Sequence, residues 1–165
     1  MMGRRSLLFA ATGGVVALIG SKWLGGPTNE AAAAFEVTKS NAEWLKVLTQ
    51  KQYYVLREHG TERPGSSPLN NEKRKGVFQC AGCDLPLFSS KTKYDSGTGW
   101  PSFYQTLPNA VGTSEDRAFF IPQTEVHCRR CGGHLGHVFN DGPKPTGLRY
   151  CINGVALKFL PEEFS

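Results

Sequence analysis

The stretch Val126-His127-Cys128-Arg129-Arg130-Cys131-Gly132-Gly133-His134-Leu135-Gly136-His137-Val138-Phe139 decides how the chain is read. Two short apolar runs, 126–128 and 135–139, flank a glycine-rich turn that carries a Cys-x-x-Cys pair. Apolar runs of this length between Gly, Pro, Asn and Asp clusters have the size of strands rather than helices. The pattern continues outward, through 118–121, 86–89 and 77–80 in one direction and through 148–152 and 155–160 in the other. It predicts a mainly β domain of antiparallel strands. Asn153-Gly154, between the last two runs, fits a two-residue hairpin turn.

Upstream of the first run the period changes. From Thr38 to His59, Ser40 with Glu43 and Thr49 with Gln52 stand at capping-box spacing, which predicts two short helices. Trp44, Leu45 and Leu48 line the first and Tyr53, Val55 and Leu56 mark the second, with Gly60 as its stop. Residues 60–76 form a turn-rich connector whose Lys73-Arg74-Lys75 triplet reads as a solvated turn.

The Cys128/Cys131 pair has a counterpart, Cys80-Ala81-Gly82-Cys83. Each knuckle can offer two thiolates to one tetrahedral ion, and the two together close the shell of a structural zinc site. Glycines at Gly82, Gly132 and Gly133 suit such turns. In an oxidising compartment the same cysteines could instead form disulfides. Four thiols so assigned leave a fifth, Cys151, in Arg149-Tyr150-Cys151-Ile152-Asn153. On a strand, positions 149, 151 and 153 share a face, placing a guanidinium, a thiol and an amide together. A neighbouring cation favours the reactive thiolate, although spacing alone leaves a buried structural cysteine equally open. His134 and His137 are then free for acid–base work, whereas His59 and His127 receive no role. In Gly97-Thr98-Gly99-Trp100-Pro101, a rigid loop offers an aromatic face suited to a methyl or thioether group, or simply a core tryptophan.

The 165 residues carry nineteen basic and fourteen acidic groups. Arg4-Arg5-Ser6-Leu7-Leu8, the apolar run 7–19 and the small-residue stretch 31–34 read as an export signal resembling the twin-arginine type. Cleavage near Ala34 would leave a single domain, 35–165, in a periplasmic location. That portion retains sixteen basic and thirteen acidic groups, a net of +3, which makes no case for a nucleic-acid partner.

On these residues the chain resembles the methionine-R-sulfoxide reductase (MsrB) family. The resemblance runs from Trp44 to Phe159 through Gly60-Thr61-Glu62, both Cys-x-x-Cys pairs, Gly99-Trp100-Pro101-Ser102-Phe103, Gly133-His134-Leu135-Gly136-His137-Val138-Phe139 and Arg149-Tyr150-Cys151-Ile152-Asn153. It implies two antiparallel sheets with N-terminal helices, one structural zinc ion on Cys80, Cys83, Cys128 and Cys131, and no organic cofactor. It implies Cys151 as nucleophile on the sulfoxide sulfur of oxidised methionine residues in proteins. His134, His137 and Asn153 would orient substrate and protonate its oxygen, Trp100 would hold the S-methyl group, and Arg149 would support the thiolate. A monomer is expected. Many family members carry a second, resolving cysteine where this chain has Thr98. The expected enzyme therefore uses one cysteine and is regenerated by an external thiol, thioredoxin-like or small. The rival readings are a zinc-ribbon binding module, which leaves Trp100, His137 and Cys151 idle, and a Cys-His hydrolase, for which no oxyanion hole is evident.

Overall fold

The computed structural model describes residues 35–117 and 122–162. The export-signal reading and the expected run 118–121 lie outside the described residues. Both capping boxes form. Ser40 and Thr49 each accept from the backbone three residues on, while Glu43 and Gln52 accept the N–H groups of Ser40 and Thr49. They open helices α1 (Asn41–Val47) and α2 (Gln50–Glu58). Trp44, Leu48, Val55 and Leu56 are buried, but Leu45 is 53% exposed. One residue turns a helix by about 100°, so a two-turn helix that buries Trp44 points its neighbour away from the same contact. The left-handed residue ending α2 is His59, at φ 56°, not Gly60; Gly60 follows and donates its N–H to the Tyr54 carbonyl at 2.9 Å.

Nine strands follow among the described residues: β1 (Gly76–Cys80), β2 (Pro86–Ser89), β3 (Lys93–Tyr94), β4 (Ser102–Phe103), β5 (Val111–Asp116), β6 (Gln123–Cys128), β7 (His134–Phe139), β8 (Arg149–Ile152) and β9 (Leu157–Pro161). They form two sheets, ordered β2-β1-β9 and β3-β4-β8-β7-β6-β5, with every pairing antiparallel. The mainly β, two-sheet expectation therefore holds. Phe78 and Phe88 from the smaller sheet meet Phe103 of the larger. The Phe88 and Phe103 rings stack at 4.3 Å, and Phe78 meets Phe103 edge-on at 5.0 Å. All three rings are fully buried, and each such side chain contributes about 1.5–3 kcal/mol of hydrophobic stabilisation.

Three strands lack the expected signal. β3 and β4 have two residues each, and β5 is a polar, largely exposed edge strand, so none shows an apolar alternation. The hairpin expected at Asn153-Gly154 is not formed, because β8 and β9 belong to different sheets. Asn153 instead leads into a single 3-10 turn, Gly154–Ala156. Its side chain is held by other parts of the chain, where the backbone leaves the larger sheet and crosses to the smaller.

Candidate active site and cysteine cluster

β1 and β6 end at the first cysteines of the two knuckles, and both turns close in the same way. The N–H of Cys80 donates to the Leu85 carbonyl at 2.9 Å, and that of Cys128 to the Gly133 carbonyl at 2.9 Å. In return, Asp84 N–H donates to Cys80 O and Gly132 N–H to Cys128 O, at 2.9 and 2.8 Å. The left-handed residue comes directly after the second cysteine in each, at Asp84 (φ 58°) and Gly132 (φ 66°). Gly82 is not the turning residue that the sequence suggests.

The two turns bring the four thiols of Cys80, Cys83, Cys128 and Cys131 within 4.8 Å of one another. Sulfur separations are 3.7 Å for Cys80–Cys131 and 3.5 Å for Cys83–Cys128. A disulfide bond measures about 2.05 Å, whereas a tetrahedral ion with sulfur at about 2.3 Å sets its ligands about 3.8 Å apart. The spacing fits a bound metal ion. Hydrogen bonds with Cys128 push the Cys80 and Cys131 thiols up, and the bond with Cys131 pulls Cys128 down. Four thiols this close, three of them buried, cannot ionise together without a cation among them.

Cys151 lies apart from this group, on β8 between β4 and β7. Its direct cross-strand partners are Ser102 and His137, so the thiol and imidazole occupy one face of the sheet. They line a pocket of about 200 Å³ with Trp100, Asn153, Thr61, Gln123, Gly136 and Phe139. That is below the usual 300–1,000 Å³ of small-molecule sites and of a size for one side chain. Gly136 permits the approach of β7 to β8: at φ 154°, a Cβ there would stand 2.1 Å from the Cys151 carbonyl oxygen.

Thr98 Oγ1 lies 3.8 Å from Cys151 Sγ. It continues through Ser96, 2.8 Å away, to Ser102, a further 2.7 Å on. Burial pushes the Cys151 thiol up, while Thr98 and Arg149 act in the opposite direction. Arg149 is therefore near enough to favour the thiolate, but desolvation outweighs it. Two bonds from Arg149 to Asp141, at 2.8 and 2.9 Å, fix the guanidinium, which lies 4.3 Å over the Phe139 ring.

The two histidine rings meet edge-on at 5.4 Å but differ in their access to the pocket. His137 lines the pocket, with Nε2 2.9 Å from Asp116 Oδ2. His134 is 1% exposed and does not line it; its Nδ1 lies 2.8 Å from Glu125 Oε1. Glu125 also faces His59 at 3.1 Å, and His127 and His134 hold its carboxyl well below the usual range. Asn153 lines the pocket, but from the 3-10 turn rather than the strand.

Residues 48–161 match the SelR domain family model. The peptide methionine sulfoxide reductase MsrB of Methanosarcina barkeri is 59% identical over 128 residues, 77% of this chain and 90% of that protein. The MsrB of Agrobacterium fabrum is 54% identical over 127 residues, 76% of this chain and 94% of that protein. The chain belongs to the MsrB family.

Sequence reasoning about this MsrB-family chain left Gly60-Thr61-Glu62 without a role, yet Glu62 ties the pocket together. Its N–H donates to Asn153 Oδ1 at 2.9 Å, its carbonyl accepts Trp100 Nε1–H at 3.1 Å, and its carboxylate accepts Gly154 N–H and Val155 N–H. Asn153 Nδ2–H donates to Leu135 O at 3.0 Å. Burial pushes the Glu62 carboxyl up despite the hydrogen bonds it accepts. Asp116, Asp141 and Glu125, the carboxylates that fix His137, Arg149 and His134, were likewise unassigned. Only strand register and loop packing bring these partners together.

Proposed function

We propose that the chain reduces methionine-R-sulfoxide to methionine, with Cys151 as nucleophile, and so repairs oxidised proteins. The observation that carries the reading is the small pocket in which Cys151 faces His137 across adjoining strands, with Trp100 on its wall. The Trp100 ring, held through its Nε1–H, offers an apolar face to the S-methyl group. Cys151 Sγ attacks the sulfoxide sulfur as the S–O bond breaks. The oxygen leaves only when protonated, and His137 on Asp116 is the group placed to steer that proton. The oxygen departs as water from the sulfur now bonded to Cys151 Sγ; a water then attacks Sγ and the new S–S bond breaks, its electron pair passing to the methionine sulfur, so that thiol plus sulfoxide become sulfenic acid plus thioether. His134, one layer deeper on Glu125, positions β7 rather than touching substrate.

Among the described residues no second thiol accompanies Cys151, since the other four cysteines form their own group. An external thiol, thioredoxin-like or small, therefore attacks the sulfenic acid, releasing water and forming a mixed disulfide that a further thiol resolves. The ion fitted by the four-cysteine group is Zn²⁺, in a structural role with no open position. The enzyme works as a monomer and is exported to the periplasm through its Arg4-Arg5 signal. A Lys pair at those positions should hold the precursor in the cytoplasm, and unaffected secretion would remove this part of the reading.

Assay of the separate R and S epimers tests the function. Turnover of R alone, abolished by Cys151→Ser with metal content unchanged, is the expected result. Activity on S alone, or survival of activity in the variant, would overturn it.

A further inference from the structure

Three of the chain's four histidines gather on one carboxylate, that of Glu125 on β6. His59 Nδ1 lies 3.1 Å from Glu125 Oε1, and His134 Nδ1 lies 2.8 Å from the same oxygen. His127 Nδ1 stands 3.8 Å from the other oxygen, Oε2, which also accepts the Ser114 Oγ–H. The two oxygens are therefore used differently. Ser114 and His127 steady Oε2, and Oε1 is left between two imidazole nitrogens.

His59 completes the group from outside the sheet. It is the left-handed cap of α2, at φ 56° and ψ 31°, a conformation usually taken by glycine or asparagine. From there its ring reaches Glu125 and meets the His134 ring, on β7, at 5.1 Å. The His59 side chain is 63% exposed, against 10% for Glu125 and 1% for His134. The group opens to solvent through His59 alone.

The three ligand atoms all lie within 4.8 Å of one another. A cation about 2.1 Å from nitrogen and oxygen ligands sets those that meet at right angles about 3.0 Å apart. The observed 2.8 and 3.1 Å fall on that spacing. An ion would replace the Nδ1 protons, leaving each ring protonated on Nε2. His134 Nε2 has no partner among the described residues, so no contact there holds the ring in its Nδ1–H form. Two imidazoles and a carboxylate suit zinc, cobalt or nickel better than calcium or magnesium, which take oxygen ligands.

We propose that His59, Glu125 and His134 form a second metal site, which takes a first-row divalent transition-metal ion and clasps the end of α2 to β6 and β7. The site is separate from the four-cysteine group, which offers sulfur alone, and it does not depend on the reductase reading. Three ligands, one of them exposed, hold an ion less tightly than four thiolates. The site therefore fills and empties with the free ion, while the cysteine group keeps its own.

The test adds Co²⁺ alone to the full chain, with the ion of its cysteine group in place and with Cys151→Ser removing the free thiol. One further equivalent should bind with the weak visible bands of nitrogen and oxygen ligation and without a thiolate-to-cobalt charge-transfer band. Elemental analysis should show the original ion retained. His59→Gln, a change at an exposed side chain, should weaken this binding by about tenfold or more, the scale found even for indirect partners of a metal. His137→Gln, which removes the imidazole of the Cys151 pocket, should alter it by less than about twofold. No further equivalent, a charge-transfer band, or equal affinity with and without His59 would overturn the proposal. So would a loss in His137→Gln in place of His59→Gln, because the ion would then sit in the Cys151 pocket.

Discussion

Cys151 is held between two opposing influences. Burial pushes its thiol up, and the hydroxyl of Thr98 and the guanidinium of Arg149 push it down. Removing Arg149 leaves desolvation and Asp141 less opposed, so the thiolate should require a higher pH. In Arg149→Met, alkylation of Cys151 by iodoacetamide should slow at pH 7, and its midpoint should move alkaline of the parent's; an unchanged pH profile would show that the guanidinium is electrostatically irrelevant. Thr98 makes a different prediction. A sulfur replacing its Oγ1, 3.8 Å from Cys151 Sγ, needs to close by about 2 Å to reach bonding distance. Thr98→Cys should therefore form an internal disulfide after one turnover, losing two titratable thiols per chain, whereas the parent should lose one thiol and form no internal bond.

At the level of the elements, the contact between β7 and β8 sets the position of the nucleophile. Gly136 has the φ and the lack of Cβ that let it pass the Cys151 carbonyl. A methyl group there must push β8 away from β7, and with it the thiol away from His137. Displacements on the order of 1 Å cost on the order of a hundredfold in rate. Gly136→Ala should show that loss in kcat/KM for N-acetyl-methionine-R-sulfoxide while retaining a cooperative thermal transition. Full activity in this variant would mean that the strands can relax without moving the site. The polar edge strand β5 also serves the site, since its last residue, Asp116, holds His137 two strands away.

For the whole molecule, the cysteine group joins the two sheets at a point separate from the pocket. Cys80 ends β1 in the smaller sheet, and Cys128 ends β6 in the larger. Around it, Arg57 donates to Cys131 O at 3.0 Å and Arg130 to Cys83 O at 3.3 Å, so α2 and both knuckles form one unit. Metal binding at such a site is coupled to folding by on the order of 10 kcal/mol, comparable with the entire stability of a domain this size. Stripping the ion with a strong chelator should cost the cooperative melt followed by circular dichroism, and elemental analysis of the intact protein should give one metal per chain. A chelated protein with an unchanged melt would remove the structural role.

Much of this was legible in the chain alone, for local reasons. Capping boxes, short apolar runs and paired Cys-x-x-Cys turns are fixed by residues within a few positions of one another, and they anticipated both helices, most strands and the metal-fitting cysteines. Cys151 emerged because four thiols matched a pattern and one was left. What stayed hidden depends on contacts between distant segments. The hydrogen bonds from Glu62 reach residues 38, 91 and 92 positions away, and no periodicity encodes them. Two-residue strands and a solvated edge strand carry too little apolar pattern to be seen, and the Asn153-Gly154 turn went astray because tertiary bonds to the Asn153 amide override its hairpin preference. The sequence by itself determined the chemistry available: one thiol left over from two Cys-x-x-Cys pairs, and Thr98 in place of a resolving cysteine. The tertiary structure alone decided which histidine faces that thiol, which carboxylate holds each charged group, and that three histidines gather on Glu125, because these follow from strand register and sheet packing.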